Sequence, residues 1–281
     1  MTETQLIQVE REGLVFDVLD EGPRDGEVVV LLHGFPERAT CWRYVAPALN
    51  EAGYRTLAMD QRGYAPGARP PRRRDYRLPE LTADVLAVVD QLAGPDARVH
   101  VVGHDWGAMP AWMLALHHAD RIRTLTAVSV PHPQAFLKAM TRSGQGVKSW
   151  YMALFQLPRV PELSARRGPI FRRSLLNAGM THDEVRRVFE EVVDDGALPT
   201  ALNWYRALPL GDPRYLRGQV RVPTTYVWSD GDVALGRWGA EHCVEYVSAD
   251  YTFVELAGVS HWIPTQAPEA LVEAILERVR G

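Results

Sequence analysis

Cysteine is scarce in this chain of 281 residues; Cys41 and Cys243 are its only two. They exclude a disulfide framework and offer no metal-ligand spacing. No stretch reaches the ~18 consecutive apolar residues of a membrane-crossing helix, so no span is expected. The opening MTETQLIQVERE lacks a basic region followed by an apolar one. No signal peptide is therefore expected, and a soluble cytoplasmic protein is the default. An excess of positive charge is missing too. Lys and Arg number 31 against 35 Asp and Glu, for a net charge of −4. That balance speaks against a nucleic-acid partner. The run Arg72-Arg73-Arg74 reads as a solvated loop. Internal repeats, low-complexity tracts and flexible linkers are also lacking. What remains is an ordinary globular composition, 46% hydrophobic and 23% charged. The length suits one large domain, or a core with a lid.

Short apolar, β-branched runs recur at 28–32, 55–59, 99–102, 125–130, 224–228 and 252–256. They read as buried parallel strands. Segments 78–92, 108–117 and 267–279 carry helical spacing between or after them; Leu81, Val85, Val88 and Leu92 share one stripe. Segment 14–20 alternates and predicts antiparallel strands near the start. Alternating strand and helix predicts an α/β architecture, a mostly parallel central sheet flanked by helices. From 131 to 220 the alternation stops, and Arg, Trp, Leu and Pro become frequent. The expected organisation is a first core part at 1–130, an inserted helical cap at 131–220, and a second core part at 221–281.

Residues 103–107, Gly-His-Asp-Trp-Gly, have the form of a nucleophile elbow between strand and helix, with Asp105 where Ser is usual. Serine attacking a saturated carbon would give an ether, a dead end. A carboxylate gives an alkyl ester, which water can cleave at the carbonyl. An Asp elbow therefore suits electrophilic sp³ carbons, as in epoxides and alkyl halides. The base is expected at His261, in the loop Gly258-Val259-Ser260-His261-Trp262 after the last strand. Two carboxylates compete to orient it. In Ser229-Asp230-Gly231-Asp232-Val233 we choose Asp232, past the glycine turn, and expect Asp230 to brace it. His33-Gly34-Phe35-Pro36 follows another central strand. The backbone N–H groups of Phe35 and Trp106 are expected to form an oxyanion hole. The chain order nucleophile, acid, His is that of the α/β-hydrolases.

HGFPE at 33–37 with Trp42 nearby, AGYRTLAMDQRGY at 52–64 and GHDWG at 103–107 resemble the epoxide hydrolase branch of the α/β-hydrolase superfamily. The resemblance covers nearly the whole chain and is similar to the hydrolase domain of soluble epoxide hydrolases. It implies two lid tyrosines that hydrogen-bond the epoxide oxygen. Their settings match YMALFQLP at 151–158 and LNWYR at 202–206, which gives Tyr151 and Tyr205. A tyrosine, with pKa near ~10, stays protonated at neutral pH and can donate to an opening alkoxide. The implied substrate is a small apolar epoxide, with contacts from His33, Pro36, Trp150, Phe155 and Trp204. Met109 is expected to narrow or redirect the pocket. No metal or organic cofactor is required, and the chain is expected to be a monomer or homodimer.

The elbow alone also fits a haloalkane dehalogenase, with Trp106 and either Trp150 or Trp204 as halide donors. A fluoroacetate-type enzyme would carry Arg where Trp106 and Met109 stand, and no Arg occurs between Arg98 and Arg121. A non-catalytic binding protein on the same scaffold is a further alternative, opposed by the set Asp105, Asp232 and His261.

Overall fold

The computed structural model describes residues 5–281. The chain opens with a hairpin of β1 (Gln5–Arg11) and β2 (Leu14–Glu21). Then follow β3 (Val28–Leu32), α1 (Ala46–Glu51), β4 (Arg55–Met59), α2 (Leu78–Leu92), β5 (Val99–His104), α3 (Ala108–His117) and β6 (Ile122–Val128). The cap comes next as short helices: α4 (Pro133–Arg142), α5 (Gln145–Lys148), α6 (Trp150–Phe155), α7 (Val160–Arg167), α8 (Pro169–Asn177), α9 (His182–Val188), α10 (Leu198–Ala201) and α11 (Asn203–Ala207). The core resumes with β7 (Thr224–Ser229), α12 (Arg237–Glu241), β8 (Tyr251–Leu256), α13 (Ile263–Gln266) and α14 (Pro268–Arg280).

The strands form one 8-stranded sheet in the order β1-β2-β4-β3-β5-β6-β7-β8. β2 pairs antiparallel with β1 and β4, and every pairing from β4 through β8 is parallel. Side chains alternate between the faces of a strand. Val28, Val30 and Leu32 join one core with Val85 and Val88 of α2 and Ala111 of α3. Val29 and Leu31 join the other, with Leu49 of α1 and Leu271 and Ile275 of α14. Both faces are covered, so the central strands read as unbroken apolar runs.

Several strand ends differ from the sequence expectation by one to three residues, and two of these differences position the site. β5 extends to His104, so the elbow begins on the strand itself. β6 stops at Val128, because Ser129 adopts φ +67° and turns the chain off the sheet towards the cap.

The cap is held to the core in two ways. Tyr64, Tyr76 and Trp106 of the core pack with Val192, Leu198, Trp204 and Tyr205 of the cap. A polar latch lies beside them. Arg187 donates to Glu37 Oε1 at 2.6 Å and to Glu184 Oε2 at 2.7 Å. After α9 the chain makes a π-helical turn over Phe189–Asp194. It carries Glu191, whose carboxylate accepts the Thr40 hydroxyl at 2.6 Å. Among the described residues no helix is long and apolar enough to cross a membrane.

Candidate active site

Asp105 stands at the end of β5 with φ +51°, a left-handed conformation. Such a backbone costs on the order of 1–3 kcal/mol in a non-glycine residue and persists only where its surroundings enforce it. Here three glycines allow the close approach. A Cβ on Gly103 would lie 2.3 Å from the carbonyl oxygen of Gly107. A Cβ on Gly107 would lie 2.1 Å from that of Leu32, and one on Gly34 2.4 Å from the Asp105 Cβ. The G-x-D-x-G spacing and the glycine of HGFP are therefore steric requirements of one crowded crossing.

The Asp105 carboxylate is held from two sides. Its Oδ1 accepts the Phe35 backbone N–H at 2.8 Å, and the backbone N–H of Trp106 also hydrogen-bonds it. Its Oδ2 lies 3.4 Å from His261 Nε2. On the far side of the ring, His261 Nδ1 donates to Asp232 Oδ2 at 2.7 Å. Asp232 Oδ1 is fixed in turn by the N–H groups of Ala234 and Leu235, at 2.7 and 2.9 Å. Asp230 does something else, accepting the Gly258 N–H at 2.7 Å and tying the two loops together. Asp232 thus meets the imidazole, and Asp230 does not.

Electrostatics follow from this geometry. Burial alone would raise the Asp105 pKa. Hydrogen bonding and charge from His261, then His104 and the Trp106 N–H, outweigh it and hold the carboxyl below its usual range. Burial pushes His261 down, but the charge of Asp232 and the contacts with both aspartates carry it well above the ordinary imidazole value. Both shifts favour the charged pair, carboxylate and imidazolium.

A cavity of about 810 Å³ opens above Asp105. Trp106, Met109, Tyr151, Met152, Trp204 and Tyr205 line it near the carboxylate, and Phe136, Leu137, Met140, Leu208 and Tyr215 line it further out. Met109 thus stands in the wall where it was expected to shape the pocket. The Tyr151 and Tyr205 rings are 6.2 Å apart at 78°. Burial, then the charge of Asp105, lifts the Tyr151 phenol above its ordinary pKa; burial, then Tyr151 and Asp105, does the same for Tyr205. Both hydroxyls therefore keep their protons. The Trp106 indole hydrogen-bonds the Tyr205 oxygen and opposes part of that rise. An indole N–H can only donate, so Tyr205 accepts there and its own proton stays free. The Trp204 indole N–H donates to the Arg62 carbonyl at 2.7 Å.

The other expected substrate contacts fall elsewhere. Phe155 packs behind Tyr205 at 4.9 Å and against Phe35 at 5.5 Å, outside the cavity wall. His33 is fully buried beneath the site, where its Nε2 accepts the Gln61 N–H at 3.0 Å. Burial lowers its pKa to about 4. Pro36 follows a cis peptide in the same turn and does not reach the cavity. Trp150 departs furthest; it is 65% exposed and absent from the cavity wall. It precedes Tyr151 on α6, and successive helical positions point about 100° apart. One of the pair faces the cavity and the other faces solvent.

The sequence reading gave no role to Glu37, His104 or Arg187. His104 Nε2 donates to the His261 carbonyl at 2.9 Å and steadies the loop that carries that imidazole. Its Nδ1 faces Glu37 Oε2 across 4.0 Å, and both atoms are buried without another partner. Burial pushes the Glu37 pKa up and lowers that of His104 to about 4. The available signal was a polar residue inside each apolar motif, Glu in HGFPE and His in GHDWG.

Comparison with known proteins places this arrangement. The sequence model of the alpha/beta hydrolase fold family matches residues 27–268. The AB hydrolase superfamily protein YfhM of Bacillus subtilis is 35% identical, over 97% of this chain and 97% of that protein. Epoxide hydrolase 3 of Xenopus tropicalis is 32% identical, over 96% of this chain and 76% of that protein. A solved structure from work on novel epoxide hydrolases in metagenomes from hot environments superposes with a TM-score of 0.86 at 28% identity, covering 99% of each chain. With an aspartate elbow, a paired His261 and Asp232, and a helical cap over one cavity, the chain belongs to the α/β-hydrolase fold family, in its epoxide hydrolase branch.

Proposed function

We propose that this protein hydrolyses epoxides to vicinal diols through a covalent alkyl ester on Asp105. The observation that carries the reading is one cavity lined by a carboxylate and two protonated phenols. An epoxide enters with its oxygen towards Tyr151 and Tyr205. Asp105 Oδ2 attacks a ring carbon as the C–O bond breaks, and the departing oxygen takes a proton from a phenol. That phenol is reprotonated from His261. Oδ1, held by the Phe35 N–H, becomes the ester carbonyl oxygen. Alkylation removes the Asp105 charge, and with it part of the support for the imidazolium. Neutral His261, oriented by Asp232, then takes a proton from water. The resulting hydroxide attacks the ester carbonyl, and the negative charge on Oδ1 rests on the Phe35 and Trp106 N–H groups. Collapse expels the second alkoxide, which His261 protonates; the Asp105 acid then gives its remaining proton to His261, restoring the charged pair, and the diol leaves.

The donor arrangement favours this reading over dehalogenation. A halide needs N–H donors and no acid. The Trp106 indole is engaged with Tyr205, the Trp204 indole with Arg62, and Trp150 lies outside the cavity. The test is a Tyr151→Phe, Tyr205→Phe double variant assayed with styrene oxide and with a 1-haloalkane. Removal of one donor to a developing oxyanion costs about 10²–10³ in rate, so epoxide turnover should disappear. Full epoxide turnover in the double variant, or halide release without any epoxide turnover in the native protein, would overturn the proposal.

A further inference from the structure

The short cap helices α5 to α8 combine exposed apolar residues with exposed cationic ones. Val147, Trp150, Leu157, Val160, Leu163 and Ile170 are between 46% and 79% exposed. They lie on α5, α6, α7 and α8 and the turns joining them, and each of these helices packs against the next. Residues 142–173 also hold seven Lys and Arg against a single Glu, in a chain whose net charge is −4. That acid, Glu162, is used inward, accepting from Arg206 at 2.8 Å. Among the described residues the exposed Arg142, Arg159, Arg166 and Arg173 form no ion pair. Elsewhere arginines are bound to carboxylates, as Arg55 is to Asp20 at 2.7 Å and Arg62 to Asp84 at 2.7 Å.

We propose that this face of the cap docks on an anionic phospholipid surface. The charge pattern selects the occupant. Guanidinium groups meet lipid phosphates, at about 1 kcal/mol per cation near such a surface. Aliphatic side chains reach the acyl boundary, and tryptophan prefers the interface between the two. A second copy, packed face to face, would bring unpaired cations against unpaired cations. A nucleic acid would leave the valines, leucines and isoleucine without apolar company. The face is also close to the cavity, because α6 turns Trp150 outwards while Tyr151 and Met152 of the same helix line the wall. An apolar molecule dissolved in the bilayer would lie one helix away from the site.

The test needs no substrate, so its outcome is independent of the proposed chemistry. The full chain is sedimented with vesicles of phosphatidylcholine alone, and with vesicles of equal parts phosphatidylcholine and phosphatidylglycerol. Binding is expected only to the second, and should weaken as salt is added. Arg159→Gln, Arg166→Gln and Arg173→Gln together should lower partitioning by roughly a hundredfold. Val160→Ser with Ile170→Ser should lower it by at least about tenfold. Both variants should retain the native unfolding temperature, which separates lost binding from lost folding. Failure to sediment with either vesicle, or binding that neither variant weakens, would overturn the proposal. So would a stable homodimer that the Val160 and Ile170 changes dissolve, or equal binding to a single-stranded oligonucleotide.

Discussion

Replacement of His261 by Gln separates the two proposed chemical steps. Asp105 Oδ2 and His261 Nε2 are 3.4 Å apart. Unit charges at that distance attract by about 5 kcal/mol at an effective dielectric constant of about 20. Alkylation of Asp105 removes that attraction and makes His261 available as a base only after the ester exists. Without the imidazole, the Phe35 and Trp106 N–H groups still orient the carboxylate. Its pKa rises, because the His261 contributions vanish while burial remains, but ring opening retains its nucleophile and both phenols. Ester hydrolysis loses general-base assistance worth about 10²–10⁴. The variant should therefore consume about one equivalent of epoxide and stop, and intact-protein mass should rise by the mass of the substrate. Native protein mixed with the same epoxide should show no lasting adduct. Lost turnover without any adduct, across epoxides the native protein consumes, would refute the two-step scheme.

Three further outcomes follow from the surroundings of the site. Arg187→Met strands Glu37 as a buried, uncompensated acid and should cost about 3–5 kcal/mol in denaturant unfolding. Adding Glu37→Gln should restore much of it, and a loss below about 1 kcal/mol would contradict the latch. His33 and His104 have pKa values lowered to about 4, and His132 to about 3, by burial. The unfolded chain binds protons below about pH 6.5 that the folded chain refuses. Stability is thus fully present above that pH and falls towards pH 4 and 3, by up to about 1.4 kcal/mol per unit for each histidine. Urea unfolding should show this slope, smaller in His132→Phe; a flat profile would refute it. Because both phenols are raised above their ordinary pKa, single-turnover ring opening should hold its rate from about pH 8 to about pH 10. An alkaline fall with a midpoint within that interval would remove them as the acids.

Legibility differed between core and cap for a physical reason. β3 and β4 coincide with their apolar runs, because strands covered on both faces have no polar positions to blur their ends. α2 and α3 likewise follow the apolar spacing from end to end. The site followed from the core motifs because its geometry is steric. No side chain fits at Gly103 or Gly107, so the elbow announces itself by composition. The cap helices are short, and a few residues do not fix a helical phase. Adjacent aromatics at 150 and 151 therefore read alike in sequence and point different ways in the fold. His33 was misplaced for another reason. Its loop passes under the carboxylate, and only the fold reveals that the N–H of Gln61, in the turn after β4, occupies its ring nitrogen. The Glu37 and Arg187 latch joins residues 150 positions apart, and no local pattern connects them.

That latch ties opening to readiness. Glu37 is separated from Phe35 by Pro36 alone. The backbone that presents one N–H to the reacting carboxylate also ends in the acid that grips the cap. A motion parting cap from core would break the Arg187 bond and leave Glu37, whose pKa burial already raises, without its cation. Acid therefore lowers the barrier to gaping, and alkali raises it.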